Sequence, residues 1–155
     1  MHLSTVKMFS KEETAAGIHA FWTAFGRYMQ PVPGADGLPR KWMNYETGVP
    51  GIYLRILLQK KVAYAGIEIA DAESEAGARL VDTLIQTLPL LRRATGEDWD
   101  WITVEARPPQ SLFWGTVLRG KNPLLQNHWP DLIAFFKKAL VAMDAYWADA
   151  GMAFE

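Results

Sequence analysis

Two runs of alternating side chains flank the pair Lys60-Lys61, and they constrain the fold more than any other part of the sequence. A two-residue turn at these lysines sets the register of an antiparallel hairpin. In that register one face is wholly apolar, with the cross-strand pairs Ile52 and Ile69, Leu54 and Ile67, Ile56 and Ala65, and Leu58 and Ala63. The other face carries Tyr53, Arg55, Tyr64 and Glu68. Lys-Lys is not a preferred turn sequence, so a longer loop is the alternative.

The remaining segments alternate between helical and strand periodicity. Ser10 and Glu13 form a capping box, which predicts a helix from about Lys11 to Met29, followed by a loop rich in proline and glycine. The later predictions are strands at 42–47, 52–58 and 63–69, a helix from an Asp71 cap to about Leu88 with a kink at Pro89, strands at 99–106 and 111–118, and a helix from an Asn127 cap to about Ala148. This order, αβββαββα, predicts an α+β fold in which a largely antiparallel sheet of about five strands packs with three helices.

Length and composition indicate a globular chain and exclude several classes of site. The 155 residues suit one domain, residues 1–155, that can bury a core without cross-links. Because there are no cysteines, disulfides, thiolate catalysis and cysteine-based metal sites are excluded. The net charge of -1 provides no overall attraction to nucleic acid or to an anionic membrane.

The sequence also bears on where the protein works. Residues 1–10 lack the apolar core of a signal peptide. Charged residues interrupt every apolar stretch before it reaches the length of a membrane span. We therefore expect a cytoplasmic protein with no membrane segment.

Scattered aromatic and basic positions resemble an uncharacterised bacterial domain family of unknown function. The positions that carry the resemblance are Trp22, Arg40-Lys41-Trp42, Lys60-Lys61 and Asn127-His128-Trp129-Pro130. The similarity covers roughly Phe9 to Trp147, and the loop from Gln30 to Pro39 is longer here than in the family pattern. Members of that family occur alone or C-terminal to nuclease-like domains. The resemblance therefore implies a fold and an association with nucleic acid, and it transfers no site residue.

The helix, three-strand, helix opening also resembles the core order of restriction-type nucleases. Those enzymes bind Mg²⁺ through a strand carboxylate and an acidic-x-Lys pair on the next strand. The pattern is incomplete here, because Ala70 stands where the lysine should follow Glu68. Glu105 and Arg107 give a second acidic-x-basic spacing. A degenerate or unusual metal-dependent nuclease-like enzyme using Glu68 or Glu105 is thus the alternative function, and we assign no catalytic residue.

Histidines and glycines do not indicate a metal or nucleotide site. His2, His19 and His128 are far apart in the sequence, and none has a second histidine at helical or strand spacing. The segment Gly34-Ala-Asp-Gly37 lacks the lysine and the following helix of a phosphate loop. We therefore predict no metal and no cofactor.

Tryptophans and basic residues leave two questions that depend on the fold. Trp99, Trp101 and Trp114 lie on neighbouring predicted strands, where they either pack beneath helices or form an exposed surface for stacking. Basic residues stand at the ends of elements, as Arg40 and Lys41, Lys60 and Lys61, Arg92 and Arg93, and Arg119 and Lys121. If several of these ends converge, they form a positive rim that can contact phosphates, and otherwise they only solvate the surface.

The leading interpretation is a non-enzymatic binding or interaction domain whose partner is nucleic acid or another protein. Its predicted binding residues are Arg40, Lys41, Tyr53, Arg55, Lys60, Lys61, Tyr64 and Glu68. A homodimer through the second sheet face or the last helix is a third hypothesis. The arrangement of three carboxylates distinguishes the binding domain from the nuclease-like enzyme. If Glu46, Glu68 and Glu105 cluster, they favour an enzyme, and if they are dispersed or paired with arginine, they favour binding.

Overall fold

The computed structural model describes residues 9–155, which form four α-helices, four strands and two short 3-10 turns. In chain order the elements are α1 (Lys11–Met29), β1 (Ile52–Gln59), β2 (Val62–Ile69), α2 (Glu75–Gln86), α3 (Leu88–Thr95), β3 (Asp100–Ile102), β4 (Leu112–Arg119), a 3-10 turn (Gln126–His128), α4 (Trp129–Ala150) and a second 3-10 turn (Gly151–Phe154). The predicted α+β class is confirmed. His2 and most of the segment examined for a signal peptide lie outside the described residues.

The predicted start of the first helix is confirmed by its cap. The Glu13 backbone N–H donates to the Ser10 hydroxyl at 3.0 Å, and the Ser10 N–H donates to the Glu13 carboxylate at 3.2 Å. These bonds satisfy two backbone groups that have no partner inside the helix. The buried stripe of α1, formed by Phe21, Phe25 and Met29, follows the helical spacing.

A four-stranded antiparallel sheet has the order β1-β2-β4-β3. Every predicted hairpin pair is observed, including Leu54 with Ile67 and Tyr53 with Glu68. The turn is the short one, and Lys60 occupies it with a φ of 52° in the left-handed region. The alternation of side chains therefore determined the register even though the turn residues are unusual.

The sheet has four strands because the predicted strand at 42–47 does not form. Trp42 turns inward and donates its indole N–H to the Val32 carbonyl at 2.8 Å, while the Tyr45 hydroxyl donates to the Asp144 carboxylate. Asn44 between them has a φ of 52°, which is incompatible with extended backbone. Buried aromatic side chains on an irregular loop thus produced the strand-like pattern.

The predicted kinked helix is two helices, which makes four in the described chain. Its cap is Ser74, which accepts from the Gly77 N–H at 2.9 Å, and not Asp71. α2 ends at Gln86, and α3 restarts at Leu88 with Pro89 in its first turn. Proline has no N–H and its ring clashes with the preceding turn, so the helix breaks at Thr87 where we expected a kink.

Two further boundaries differ from the prediction. The strand predicted at 99–106 pairs with β4 only over Asp100–Ile102, after which the chain leaves the sheet. α4 begins after His128, because residues 126–128 form a 3-10 turn in place of the expected Asn127 cap. The antiparallel pairing with β4 and the presence of the last helix are nevertheless confirmed.

One face of the sheet packs against the helices and forms the main core. β1 and β2 contribute their predicted apolar face, and α4 covers it with Leu132, Phe136, Leu140 and Met143. Trp99 and Trp114 belong to this core, with 7% and 2% of their surface exposed, while Trp101 is 38% exposed. Two of the three ambiguous tryptophans are therefore packing residues. None of the described helices combines the length and the apolar character needed to cross a membrane.

Candidate binding site at the open edge of the sheet

β1 is an edge strand, since within residues 9–155 it pairs only with β2. The Ala70 N–H donates to the Gly51 carbonyl at 3.0 Å, so these two residues form a hydrogen-bonded pair of the antiparallel ladder. Such pairs alternate along the strand, so the backbone groups of Leu54, Ile56 and Leu58 point away from β2. The same alternation points the Ile52 carbonyl away from β2, and the Thr47 hydroxyl donates to it at 3.0 Å. The open edge therefore begins at Leu54.

A groove of about 940 Å³ runs beside this edge. Residues 42–50 form its opposite wall, and Trp22 of α1 and Leu140 of α4 contribute to its lining. Its half-buried apolar side chains include Met43 on that wall and Ile56 on the strand. The volume lies within the range of small-molecule sites, and the lining is mostly apolar.

Arg55 and Glu68 belong to a charged cluster on the other face of the sheet. Arg55 Nε lies 2.6 Å from Glu68 Oε1, and Arg107 donates from Nη2 to Oε1 at 2.6 Å and from Nε to Oε2 at 2.7 Å. The Arg55 guanidinium also stacks over the Tyr53 ring, 4.2 Å from its centroid. Glu68 is fully buried. Because two guanidinium groups share one carboxylate, the cluster keeps a net positive charge.

Hydrogen bonds determine the ionisation of Glu68. Burial by itself raises the pKa of its carboxyl, and the hydrogen bonds from Arg107 and Arg55 outweigh that effect, so the pKa lies below its ordinary value of 4.5. Glu68 is thus a charged residue that is already neutralised by protein partners. It has no solvent-accessible surface with which to bind a metal ion or activate water.

The segment 103–111 between β3 and β4 covers most of this second face. Val104 packs against Tyr64 and Phe113, and the Gln59 amide donates to the Glu105 carbonyl at 2.7 Å. The Phe113 ring lies against Gly66, where an added methyl group would be 2.5 Å from Phe113 Cε1. Tyr64 is consequently 4% exposed.

The predicted binding residues are therefore only partly brought together. Tyr53, Arg55, Tyr64 and Glu68 do lie on one face, as the register predicted, but Tyr64 and Glu68 are covered. Tyr53 and Arg55 stay at the surface beside the groove.

The basic residues at the ends of elements come together at one place, and most of the others have protein partners, Arg93 being exposed on α3. Lys60 and Lys61 adjoin Arg119, which pairs with Val62, and among the described residues no carboxylate lies within ion-pair distance of these three side chains. By contrast, Arg40 contacts Asp36 at 2.8 Å and Asp144 at 3.1 Å, and Lys41 contacts Glu46 at 3.1 Å. Arg92 lies over Trp114, and Lys121 contacts Asp131. Lys60, Lys61 and Arg119, the basic tip, are the unpaired positive charges near the groove.

Sequence reasoning missed Asp144, a buried carboxylate on α4 that holds the segment 30–45. It is 2% exposed and accepts the Ala35 N–H at 2.7 Å and the Tyr45 hydroxyl. Burial and this hydrogen bond raise the pKa of the Tyr45 phenol, so it stays a donor. The signal was present, because Asp144 falls between Leu140 and Trp147 on an apolar helix stripe, and a charge there needs a partner.

Glu46, Glu68 and Glu105 do not cluster with one another in the described chain. Glu46 pairs with Lys41, Glu68 with two arginines, and Glu105 is exposed. Residues 9–155 contain no group of three or more His, Cys, Asp or Glu side chains placed to hold a metal ion. His128 accepts the Asn122 N–H at Nδ1, 2.9 Å away, and therefore orders the chain before α4.

Comparison with known proteins identifies a family. A family model described as a domain of unknown function (DUF4268) matches residues 19–150, which is most of the chain. No curated protein and no solved structure gives a match. The family match accords with the resemblance found in the sequence, and it names no activity.

Proposed function

The chain belongs to the DUF4268 family, whose description names no function, and from its geometry we propose that it is a non-enzymatic domain that binds a polypeptide. The recognition surface is the groove along β1. One observation carries the proposal: an apolar groove of about 940 Å³ lies directly beside a strand edge whose outward backbone groups from Leu54 to Leu58 have no protein partner among the described residues. Exposed strand edges of this kind are a recurring place for peptide recognition.

The state of the carboxylates supports binding over the nuclease-like alternative. The three carboxylates that would have had to cluster are separately paired or exposed. Glu68, the best placed of them by sequence, is enclosed by Arg55 and Arg107. An acidic residue that is neutralised and buried serves structure and does not bind Mg²⁺.

The lining of the groove supports a polypeptide over a nucleic acid. Aliphatic residues outnumber the aromatic ones in it, and two of its four aromatic side chains, Trp42 and Tyr45, are held by hydrogen bonds to the protein. Single-stranded nucleic acid prefers exposed aromatic platforms within a positive channel. The basic tip is only three residues on a chain of net charge -1. A cytoplasmic location, a bacterial source and a homodimeric form stay predictions.

Selection from a random peptide library, followed by fluorescence anisotropy with the recovered peptides, tests this function. The variant Met43→Lys places a charge on the groove wall opposite β1, and a lysine there can extend its amine into solvent so that the fold is kept. Ile85→Lys is the matched control, because Ile85 is 49% exposed and lies outside the groove. We expect recovered peptides to bind the wild type and Ile85→Lys equally and Met43→Lys at least tenfold more weakly.

Short single-stranded and double-stranded DNA and RNA are titrated in parallel, at two salt concentrations with and without Mg²⁺. Equal peptide binding by all three proteins, or no peptide binding at all, would overturn the proposal. So would nucleic-acid binding tighter than peptide binding with a steep salt dependence. Mg²⁺-dependent cleavage on a gel would restore the nuclease-like alternative.

A further inference from the structure

Resting on the proposed function, we propose that the ligand adds to β1 as a fifth strand and alternates aliphatic with acidic side chains. The occupant is a short extended segment of another protein. Its aliphatic side chains face the helix side of the sheet, and its carboxylates face the side that carries Arg55. Backbone, side chains and charge along the edge each support one part of this inference.

Backbone geometry predicts addition of a strand. The outward N–H and C=O groups of Leu54, Ile56 and Leu58 recur about every 6.8 Å, which is the two-residue repeat of an extended chain. Thr47 already occupies the Ile52 carbonyl, so a new strand begins beside Leu54. An extended peptide in the groove satisfies these groups in the way that β2 satisfies the other side of the strand.

Side chains at the edge predict the aliphatic positions. Leu54, Ile56 and Leu58 share the core face of the sheet, and the groove on that face is completed by Trp22 and Leu140. Residues of an added strand that lie opposite them place their side chains on the same face. Apolar side chains at alternate positions of the ligand therefore enter the groove.

Charge predicts the intervening positions. Arg55 lies on the opposite face, and it shares Glu68 with Arg107, so this face of the edge is positive. The side chain of Arg55 is 31% exposed and can contact a second carboxylate. The basic tip adds unpaired positive charge at the end of the same strand. Carboxylates at alternate positions of the ligand complement this pattern.

The same charges disfavour a second copy of this chain as the occupant. A β1 edge paired with itself would bring Arg55, Lys60 and Lys61 of two copies together without supplying a carboxylate. The open run from Leu54 to Leu58 is also much shorter than the roughly 20 to 30 residues a side of a stable dimer interface. An extended peptide can pair with the open edge from Leu54 to Leu58 alone.

The first test uses three fluorescein-labelled heptapeptides in anisotropy titrations. The probe is Glu-Val-Glu-Val-Glu-Val-Glu, the composition control is Val-Val-Val-Glu-Glu-Glu-Glu, and the charge control is Lys-Val-Lys-Val-Lys-Val-Lys. We expect the alternating acidic peptide to bind at least tenfold tighter than either control, and Lys61→Glu to weaken it several-fold at low salt. Equal binding of the three peptides would overturn the predicted ligand.

The second test separates strand addition from other binding in the groove. Ile56→Pro removes one outward N–H and leaves the bonds to β2 intact, because proline is tolerated on the open side of an edge strand. Ile56→Ala retains that N–H and controls for the lost side chain. We expect Ile56→Pro to lose at least tenfold in affinity relative to Ile56→Ala, with both variants keeping the circular dichroism of the wild type.

Amide hydrogen exchange with bound peptide gives a readout that does not depend on a variant. Exchange at Leu54, Ile56 and Leu58 should slow at least tenfold, while Tyr53, Arg55 and Leu57 change little, since their N–H groups already bond to β2. Uniform slowing along β1, or unchanged binding by Ile56→Pro, would overturn strand addition. If Met43→Lys still weakened peptide binding in that case, the proposed function would stand and strand addition alone would be wrong.

Two further outcomes identify other occupants. Loss of all peptide binding would overturn the proposed function together with this inference. A dimer in sedimentation equilibrium that Ile56→Pro dissociates would assign the edge to a second copy and overturn the peptide ligand.

Discussion

At the scale of single residues, Glu68 has a structural role that its neighbours in the sequence only partly predicted. The hairpin register placed it beside Tyr53 and near Arg55, and both contacts follow from strand alternation. Arg107 was not predictable as its partner, because it arrives on an irregular segment whose path depends on β3 ending at Ile102. A strand pattern determines neighbours across a ladder and does not determine what folds over its face.

Glu68→Gln should destabilise the protein by about 2 to 3 kcal/mol, because it leaves two arginines without an anionic partner in a closed site. The partial exposure of both guanidinium groups keeps the effect below that of a fully buried pair. Urea unfolding measures the change in free energy. Glu46→Gln is the control, since the Glu46 side chain is 78% exposed and should change stability by less than about 0.5 kcal/mol. A Glu68→Gln effect as small as the control would contradict the role assigned to the cluster.

Acid should remove the stabilisation that Glu68 provides. Its folded pKa lies below the ordinary value of 4.5, so on acidification the unfolded chain takes up the proton first. The contribution is complete above the unfolded pKa and disappears as pH falls through the folded pKa. The difference in unfolding free energy between wild type and Glu68→Gln should therefore be constant near neutral pH and shrink below pH 4.5. A difference that grew on acidification would have the wrong sign.

At the scale of elements, the sequence predicted the hairpin fully and the segment before it wrongly. Alternation in β1 and β2 arises from pairing, so each strand confirmed the register of the other. The segment 42–47 shows a similar pattern, but its large side chains are held one by one, Trp42 by Val32 and Tyr45 by Asp144. Sequence pattern alone cannot distinguish a paired strand from an irregular loop whose large side chains are held individually by hydrogen bonds.

Leu54→Asp should abolish folding or cost more than about 4 kcal/mol, because it puts an unpaired charge on the core face of β1. Leu54 is 5% exposed, whereas the adjacent Tyr53 is 38% exposed on the other face. Tyr53→Asp is thus the matched control and should fold, since its new carboxylate meets Arg55. Thermal unfolding followed by circular dichroism distinguishes the two. Similar melting temperatures for both variants would contradict the assignment of the two faces.

Asp144→Asn should loosen the segment 30–45 from α4. An amide can still accept one hydrogen bond, but it cannot balance Arg40, and we expect a loss of about 1 to 3 kcal/mol. Amide exchange at Ala35 measures the local effect, because that N–H donates to the carboxylate. The Ala35 amide should exchange faster in the variant. The exchange rates of amides in the middle of β2 should change only as far as the free energy of global unfolding changes. Unchanged protection at Ala35 would show that other contacts hold the loop.

At the scale of the whole molecule, the candidate site lay beyond sequence reasoning because it depends on strand order. The hairpin pattern shows that β1 and β2 are neighbours, and it does not show that β4 pairs with β2, which leaves β1 at the edge. The sequence predicts Tyr53 and Arg55 as binding residues because they lie on the polar face of the hairpin. The sequence places Ile56 on the apolar face of the hairpin and does not indicate that Met43 and Leu140 line a groove, since half-buried groove walls and cores share one composition.

The described chain should unfold in one cooperative transition, because one core cluster takes side chains from α1, both hairpin strands, β4 and α4. Tryptophan fluorescence reports that core through Trp99 and Trp114, and far-ultraviolet circular dichroism reports the helices. Their urea transitions should coincide. Two separated midpoints would show that the chain contains more than the single domain predicted from its length.

α4, the helix that packs across the core face of the sheet, follows all four strands in the chain. β1 and β2 can pair as soon as they leave the ribosome, because a two-residue turn makes their contacts local. α4, which contributes Leu132, Phe136 and Leu140 to the core, is synthesised after all four strands. During translation the apolar face of the completed hairpin therefore stays uncovered until α4 has been synthesised, and over that interval the nascent chain exposes the kind of apolar surface that chaperones recognise.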